Sequence, residues 1–276
     1  MRAPIERSGA TPKEYSELKD FYESRIWKTH KIGNLYELIR FQYIHEFLVN
    51  RLAGPVLDAG CGGGTYTQIM ANVSSVIAVD ISVNAIRNAK ENLARSKDVS
   101  FIVGDLGHLP LRGGIVSKVA SIDVLEHIKK PEQAVGEVCR ILQPYGSVLL
   151  FTACGENKLT MEYMLKPLFG KLILSIRSRL GHVSIFTNQS IHTLLCRDFT
   201  IVRIRYMHHW LGWLIKFLWD MAHMNSLESH QSQCESKVSG SSLSRMLWVM
   251  LEAEYKLLRK RDLGTEIIIN ATKKSF

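Results

Sequence analysis

The run Val56-Leu57-Asp58-Ala59-Gly60-Cys61-Gly62-Gly63-Gly64-Thr65 places a short apolar strand directly before a glycine-rich loop, with a helical pattern beyond it. Glycine lacks Cβ, so such a loop can take positive φ and bring backbone against a ligand that any side chain would block. In a Gly-x-Gly-x-x-Gly dinucleotide fingerprint begun at Gly60, the third glycine would fall on Thr65. Asp58-x-Gly60-x-Gly62-x-Gly64 instead fits an acidic-x-Gly-x-Gly-x-Gly pattern. A dinucleotide loop cradles a pyrophosphate at the helix N-terminus, whereas a carboxylate placed ahead of the glycines suits a ligand that carries an ammonium group.

Downstream of Pro55, short apolar runs alternate with helical stretches: Val56-Leu57, Val76 to Val79, Phe101 to Val103, Val119-Ala120 and Val148 to Phe151. Strands that alternate with helices imply a mostly parallel sheet and an α/β fold. Phe199 to Met207 alternates as a strand does, and Glu266 to Asn270 supplies a further apolar run. Between these two lie a Trp-rich run from His208 to Met224, a serine-rich stretch from Ser226 to Ser244 and a helix from about Arg245 to Arg261. Upstream, residues 14–50 read as two amphipathic helices, carrying Tyr15, Leu18, Phe21 and Tyr22, then Leu35, Leu38, Ile39, Tyr43 and Phe47. The organisation expected is a helical cap over residues 1–50 and one domain over 51–276, with a helical insertion at about 208–262.

From about Pro55 to Ala153 the sequence resembles the class I S-adenosylmethionine-dependent methyltransferases, in their small-molecule branch. The resemblance implies a Rossmann-like, doubly wound seven-stranded sheet of order 3-2-1-4-5-7-6, with S-adenosylmethionine (SAM) as cofactor. It implies that Asp58, Gly60, Cys61, Gly62 and Gly64 form the cofactor loop. Asp80, ending Val76-Ile77-Ala78-Val79-Asp80, then meets the ribose hydroxyls, with Ile81 beside it. Asp105 in Val103-Gly104-Asp105-Leu106 meets the adenine amino group, Leu106 lies against the ring, and Ser121 completes the set. Arg140-Ile141-Leu142-Gln143-Pro144-Tyr145-Gly146 is similar to the family's turn before strand five. Ser117 stands where the family has an acid, and Tyr145 where it has a glycine, so local geometry is expected to differ there.

Ser121-Ile122-Asp123-Val124-Leu125-Glu126-His127 resembles the family's segment after strand four. At helical spacing Asp123, Glu126 and His127 would share a face. Their Asp-x-x-Glu-His string is similar to the metal motif of some quinone-pathway and small-RNA O-methyltransferases. The reading adopted is no metal, the pair Glu126-His127 fixing the helix, with Mg²⁺ or Mn²⁺ on Asp123, Glu126 and His127 as the alternative. His182, in Gly181-His182-Val183-Ser184-Ile185-Phe186, is the candidate general base, since related methyltransferases often carry a histidine facing the acceptor there. His208, His209, His223 and His230 show no ligand spacing and read as surface or interface residues.

Composition supports one packed domain, with 46% hydrophobic and 22% charged residues in 276. Five cysteines with no Cys-x-x-Cys pair suggest neither a disulfide framework nor a cysteine zinc site, and the N-terminal residues lack an apolar signal region. A cytoplasmic location is therefore expected, with the option of peripheral attachment to a membrane face. The net charge of +9 favours an anionic partner. Two apolar, basic stretches, Tyr163 to Leu180 and His208 to Met224, are each too interrupted by charge to span a bilayer. They are expected either to lie on an anionic membrane, led by Trp210, Trp213 and Trp219, or to form a lid. Strand four lacks the Asn/Asp-Pro-Pro-aromatic motif of DNA amino methylases, which disfavours DNA. The expected acceptor is a small or lipid-linked molecule of quinone, polyprenyl or glycolipid type, methylated at oxygen or carbon. The alternatives are a non-catalytic SAM-binding regulatory or assembly subunit and an RNA methyltransferase.

Overall fold

A computed structural model describes residues 23, 35–49, 53–96, 98–155, 157–222 and 242–275. Its strands are β1 (Val56–Ala59), β2 (Val76–Asp80), β3 (Val99–Val103), β4 (Val116–Ile122), β5 (Leu142–Ala153), β6 (Phe199–Met207) and β7 (Glu266–Lys273). They form one sheet of order β3-β2-β1-β4-β5-β7-β6, the order expected. The first five strands are parallel, and β7 runs antiparallel to both β5 and β6. Helices α1 (Leu35–Val49), α2 (Thr65–Ala71), α3 (Val83–Asn92), α4 (Pro131–Ile141), α5 (Met161–Leu180) and α6 (Asn188–Cys196) cover it. Two more, α7 (Trp210–Ala222) and α8 (Ser242–Leu258), fall between β6 and β7 in the chain.

Successive strand residues point to opposite faces, and the core divides accordingly. Leu57, Val79, Leu150, Ile267 and Ile269 pack on one face with α4 and α6; Val56, Leu149, Phe151 and Ile268 pack on the other with α1 and α8. A third, smaller cluster joins Ile173 and Ile176 of α5 to Trp213 and Phe217 of α7. Burying an apolar side chain of this size contributes about 1.5–3 kcal/mol. The α5–α7 layer is therefore held to itself as well as to the sheet.

Four expectations need correction. Trp213 faces inward, stacked on Phe217 with ring centroids 4.8 Å apart, because α7 is amphipathic and its aromatic side meets α5. His208 and His209 are buried rather than on the surface, since they sit where the chain leaves β6 and turns under α7. Glu126 and His127 lie in a single 3₁₀ turn, Leu125–His127, and Asp123 has φ +55, so the three do not share a helical face. The turn expected before strand five is instead an irregularity within β5, between Leu142 paired with Val116 and Ser147 paired with Lys118, where Tyr145 takes φ +62 in place of the usual glycine. Tyr15, Leu18, Phe21, Tyr22, His223, His230 and most of the serine-rich stretch lie outside the described residues.

Candidate active site

The glycine loop crosses the carboxyl end of β1 with Gly60, Gly62 and Gly64 at φ +83, +51 and +89. These are left-handed conformations that cost an L side chain roughly 1–2 kcal/mol each, which is why glycine occupies them. A Cβ on Gly64 would lie 2.8 Å from Leu93 Cδ1, so loop and α3 are in van der Waals contact. Gly60 and Cys61 donate their amides to the Val79 carbonyl, which fastens the loop to β2. The Cys61 side chain packs with Ala78 and Ile86, so Cys61 offers the site backbone only.

Asp58 and Asp80 converge on this loop from adjacent strands. Thr67 donates its hydroxyl to Asp58 Oδ2 at 2.5 Å. Burial pushes the Asp58 carboxyl up to about 7, opposed by that hydrogen bond and aided by the charge of Asp80. Asp80 accepts the amides of Ser82 and Gly62, both at 2.9 Å, one on each oxygen. Burial also raises Asp80, to about 6, against those two amides. Each of its oxygens keeps a second lone pair for a ligand hydroxyl. Glu23 accepts the amides of Val83 and Asn84 and the hydroxyl of Ser82, so a residue far back in the chain closes the N-terminus of α3 beside Asp80.

Gly104 donates its amide to the Asp80 carbonyl, which brings the end of β3 alongside. Asp105 there is partly exposed and accepts the Gly107 amide at 2.8 Å, while Leu106 turns into the core. Ile81 follows Asp80 at the mouth and is half-buried. Ser121 is buried in β4 opposite Leu150.

Beyond this half of the sheet edge lies a network whose members are far apart in sequence. Arg40 of α1 donates to Glu266 Oε1 at 2.7 Å and to Asp123, whose nearest oxygen is 2.9 Å away. His208 Nε2 lies 3.1 Å from the other Glu266 oxygen, and its ring sits 4.0 Å from that of Tyr36. Although burial alone would raise Glu266, Arg40 and His208 bring it down to about 2. Burial lowers His208 against Glu266, and lowers His209 to about 4. Asp123 and His208 both have positive φ, and Asp123 meets Arg40 directly whereas His208 reaches it through Glu266.

Glu126 accepts the Thr152 hydroxyl at 2.8 Å, and burial together with Asp123 raises its carboxyl to about 8. Its backbone carbonyl accepts the amides of Val183 and Ser184, while His127 Nδ1 sits 3.0 Å from the Gly181 carbonyl. The segment that carries His182 is thereby fixed on the 3₁₀ turn. Glu126, His127 and His182 bring potential metal-ligand atoms within 4.8 Å of one another; Asp123, tied to Arg40, is not among them. His182 also lines a cavity of about 80 Å³, walled by Ile173, Ile176, Trp213 and Phe217, with Glu162, Arg177, Lys216, Asp220 and Thr265 as polar neighbours.

Residues 57–150 match the family model described as a methyltransferase domain. Residues 57–150 thus form a methyltransferase domain, and over that span the chain is similar to S-adenosylmethionine-dependent methyltransferases. A probable S-adenosylmethionine-dependent methyltransferase of Mycolicibacterium smegmatis is 34% identical over 125 residues, 45% of this chain and 46% of the relative. A ubiquinone biosynthesis O-methyltransferase of Thiobacillus denitrificans is 31% identical over 135 residues, 48% of this chain and 57% of the relative. The chain thus spans about half the length of these curated relatives. Among solved structures, a geranyl diphosphate C-methyltransferase of Streptomyces coelicolor superposes with a TM-score of 0.62 at 14% identity, covering 97% of this chain and 100% of that one, a likeness of fold. Arg40, Glu266, His208 and Glu23 are the candidate site residues that motif reading passed over. Arg40 alone left a trace, as a cation on the stripe Tyr36, Tyr43 and Phe47.

Proposed function

We propose that this methyltransferase moves a methyl group from SAM to an oxygen or carbon of a small or lipid-linked acceptor. The observation that carries the reading is the placing of the glycine loop with Asp58 and Asp80, and of the apolar cavity with His182, at the carboxyl end of one sheet. The loop fits the cofactor: its glycines hold three left-handed conformations at the carboxyl end of β1, and the buried carboxylates of Asp58 and Asp80 offer acceptors to hydroxyl and ammonium donors. Bound there, SAM supplies an activated methyl group on a sulfonium.

The chain's own residues then align and deprotonate. Asp80 and Asp58 orient the cofactor, the cavity walls exclude water, and His182 takes the acceptor proton as the new bond forms. Orientation of this kind removes several kcal/mol of barrier, and a positioned base adds about 10²–10⁴-fold. The cavity's apolar lining and the O-methyltransferase among the relatives support an acceptor with an apolar body and a hydroxyl. Incubating the chain with methyl-labelled SAM and fractionated extract tests this. Label in a lipid or small-metabolite fraction is expected. Label in RNA would replace the acceptor class, and tight SAM binding without any transfer would make the chain a non-catalytic SAM-binding subunit.

A further inference from the structure

We propose that the outer face of α5 docks on an anionic lipid bilayer. The helix runs for 20 residues, about 30 Å, and its inner face is accounted for by Ile173 and Ile176 against α7. Its outer face is not. Met164, Leu168 and Leu174 are 59%, 77% and 57% exposed, with Tyr163 beside them, and they recur at steps that keep them on one side of the helix. Soluble surfaces seldom leave so many large apolar side chains together in water without a partner.

Charge selects the partner. Lys171 is exposed among these apolar side chains, and Lys166 is exposed at their edge, one turn on from the helix's single acid, Glu162, which is tied to Arg177 at 2.5 Å. The outer face is therefore apolar with a lysine on it and another at its edge, and its only nearby acid is already paired with Arg177, the pattern of a helix lying in the headgroup layer of an acidic membrane. The exposed apolar side chains of α8 are interspersed with the Glu252–Lys256 ion pair and lack this one-sided charge. No helix among the described residues is long and apolar enough to cross a membrane, so α5 lies on the surface. Docking holds whether or not the acceptor is itself a lipid, because it rests on this face alone.

Co-sedimentation of the full chain with phosphatidylglycerol-containing or pure phosphatidylcholine vesicles tests it. Binding to the anionic vesicles, weakened by salt, is expected. Replacing Lys166 and Lys171 by alanine should reduce partitioning about fivefold each. Leu168→Glu with Leu174→Glu should reduce it more than about tenfold. SAM affinity and melting temperature of these variants should match the parent, since the residues are exposed and far from the cofactor loop. The proposal is overturned by a parent chain that stays in the supernatant with anionic vesicles at low salt, or by variants that sediment as the parent does. It is overturned equally if Met246→Glu with Met250→Glu on α8 abolishes binding while the α5 variants retain it. A concentration-dependent dimer that Leu168→Glu dissolves, with no vesicle binding, would assign the face to a second copy of the chain.

Discussion

Gly60 and Val124 meet across the top of the sheet: a β-carbon on Gly60 would lie 2.5 Å from Val124 Cγ2. The cofactor loop therefore rests directly on the turn that carries Asp123, Glu126 and His127. Gly60→Ala should weaken SAM binding more than about tenfold and lower the melting temperature, because it adds backbone strain of roughly 1–3 kcal/mol to the clash. Val124→Ala in that background should restore only the steric part. Calorimetry showing no recovery at all would mean the contact does not position the loop.

Asp80 fastens the loop through the Gly62 amide and is the acceptor proposed for the ribose hydroxyls, so its loss should act twice. Asp80→Ala should reduce SAM affinity about ten- to a hundredfold, the cost of roughly 1.5–3 kcal/mol for hydrogen bonds to a charged group. Asp80→Asn should lose less, because it keeps an oxygen for one amide. Equal affinity in all three proteins, measured by titration calorimetry, would remove Asp80 from the cofactor site.

Burial raises Asp58 and Asp80 to about 7 and about 6. Both native values exceed the unfolded ones, so the stability they lend is present in full at low pH and is lost as pH rises through 6 to 7. Cofactor binding has the opposite sign, since hydroxyl and ammonium donors favour the charged carboxylates. SAM affinity should climb as pH rises through that window, level off above it, and be accompanied by proton release. Binding enthalpies that do not change between buffers of different ionisation heat would count against this.

Arg40 is the cation shared by Asp123 and Glu266, and removing it leaves two carboxylates facing each other. Arg40→Met should cost roughly 3–5 kcal/mol of stability, the penalty for breaking a buried pair. Arg40→Lys should recover only part of this, because an ammonium cannot reproduce the forked contact. Denaturant unfolding that places Arg40→Met within about 0.5 kcal/mol of the parent would show the network to be hydrated rather than buried.

His182 is held by backbone contacts on either side, so replacing its ring should leave the segment in place. His182→Ala should lower turnover about 10²–10⁴-fold with SAM affinity unchanged. The same assay after exhaustive chelation separates two roles, since Glu126, His127 and His182 bring possible ligand atoms together. Turnover that survives chelation fits His182 as base. Loss on chelation with recovery on adding Mn²⁺ would make the histidine a ligand instead.

The alternation of strands and helices was legible in the short apolar runs, the order of the strands only through the family resemblance, and the cofactor side because its residues lie on consecutive strands within the span from Asp58 to Asp105. The acceptor side is assembled differently. Arg40 and Glu266 are 226 positions apart, and each reads alone as an ordinary surface charge. His208 was misplaced because its burial follows from the turn out of β6, which no side-chain spacing encodes. Asp123 was misread for a related reason: a left-handed residue followed by one 3₁₀ turn leaves the same letters as a helix start.

Met207 and Glu266 pair across β6 and β7, so the chain leaves and re-enters the sheet at a single rung of its ladder. Among the described residues in between, the two helices form a cassette anchored at that rung and again by packing, α7 on α5 and α8 on the sheet face it shares with α1. Changing its length costs little beyond loop closure, which grows only logarithmically with size. The match to the family model ends at Leu150, before α5 and before this cassette. A change in the length of the cassette can thus leave the strand register intact, because Met207 and Glu266 set that register at its base.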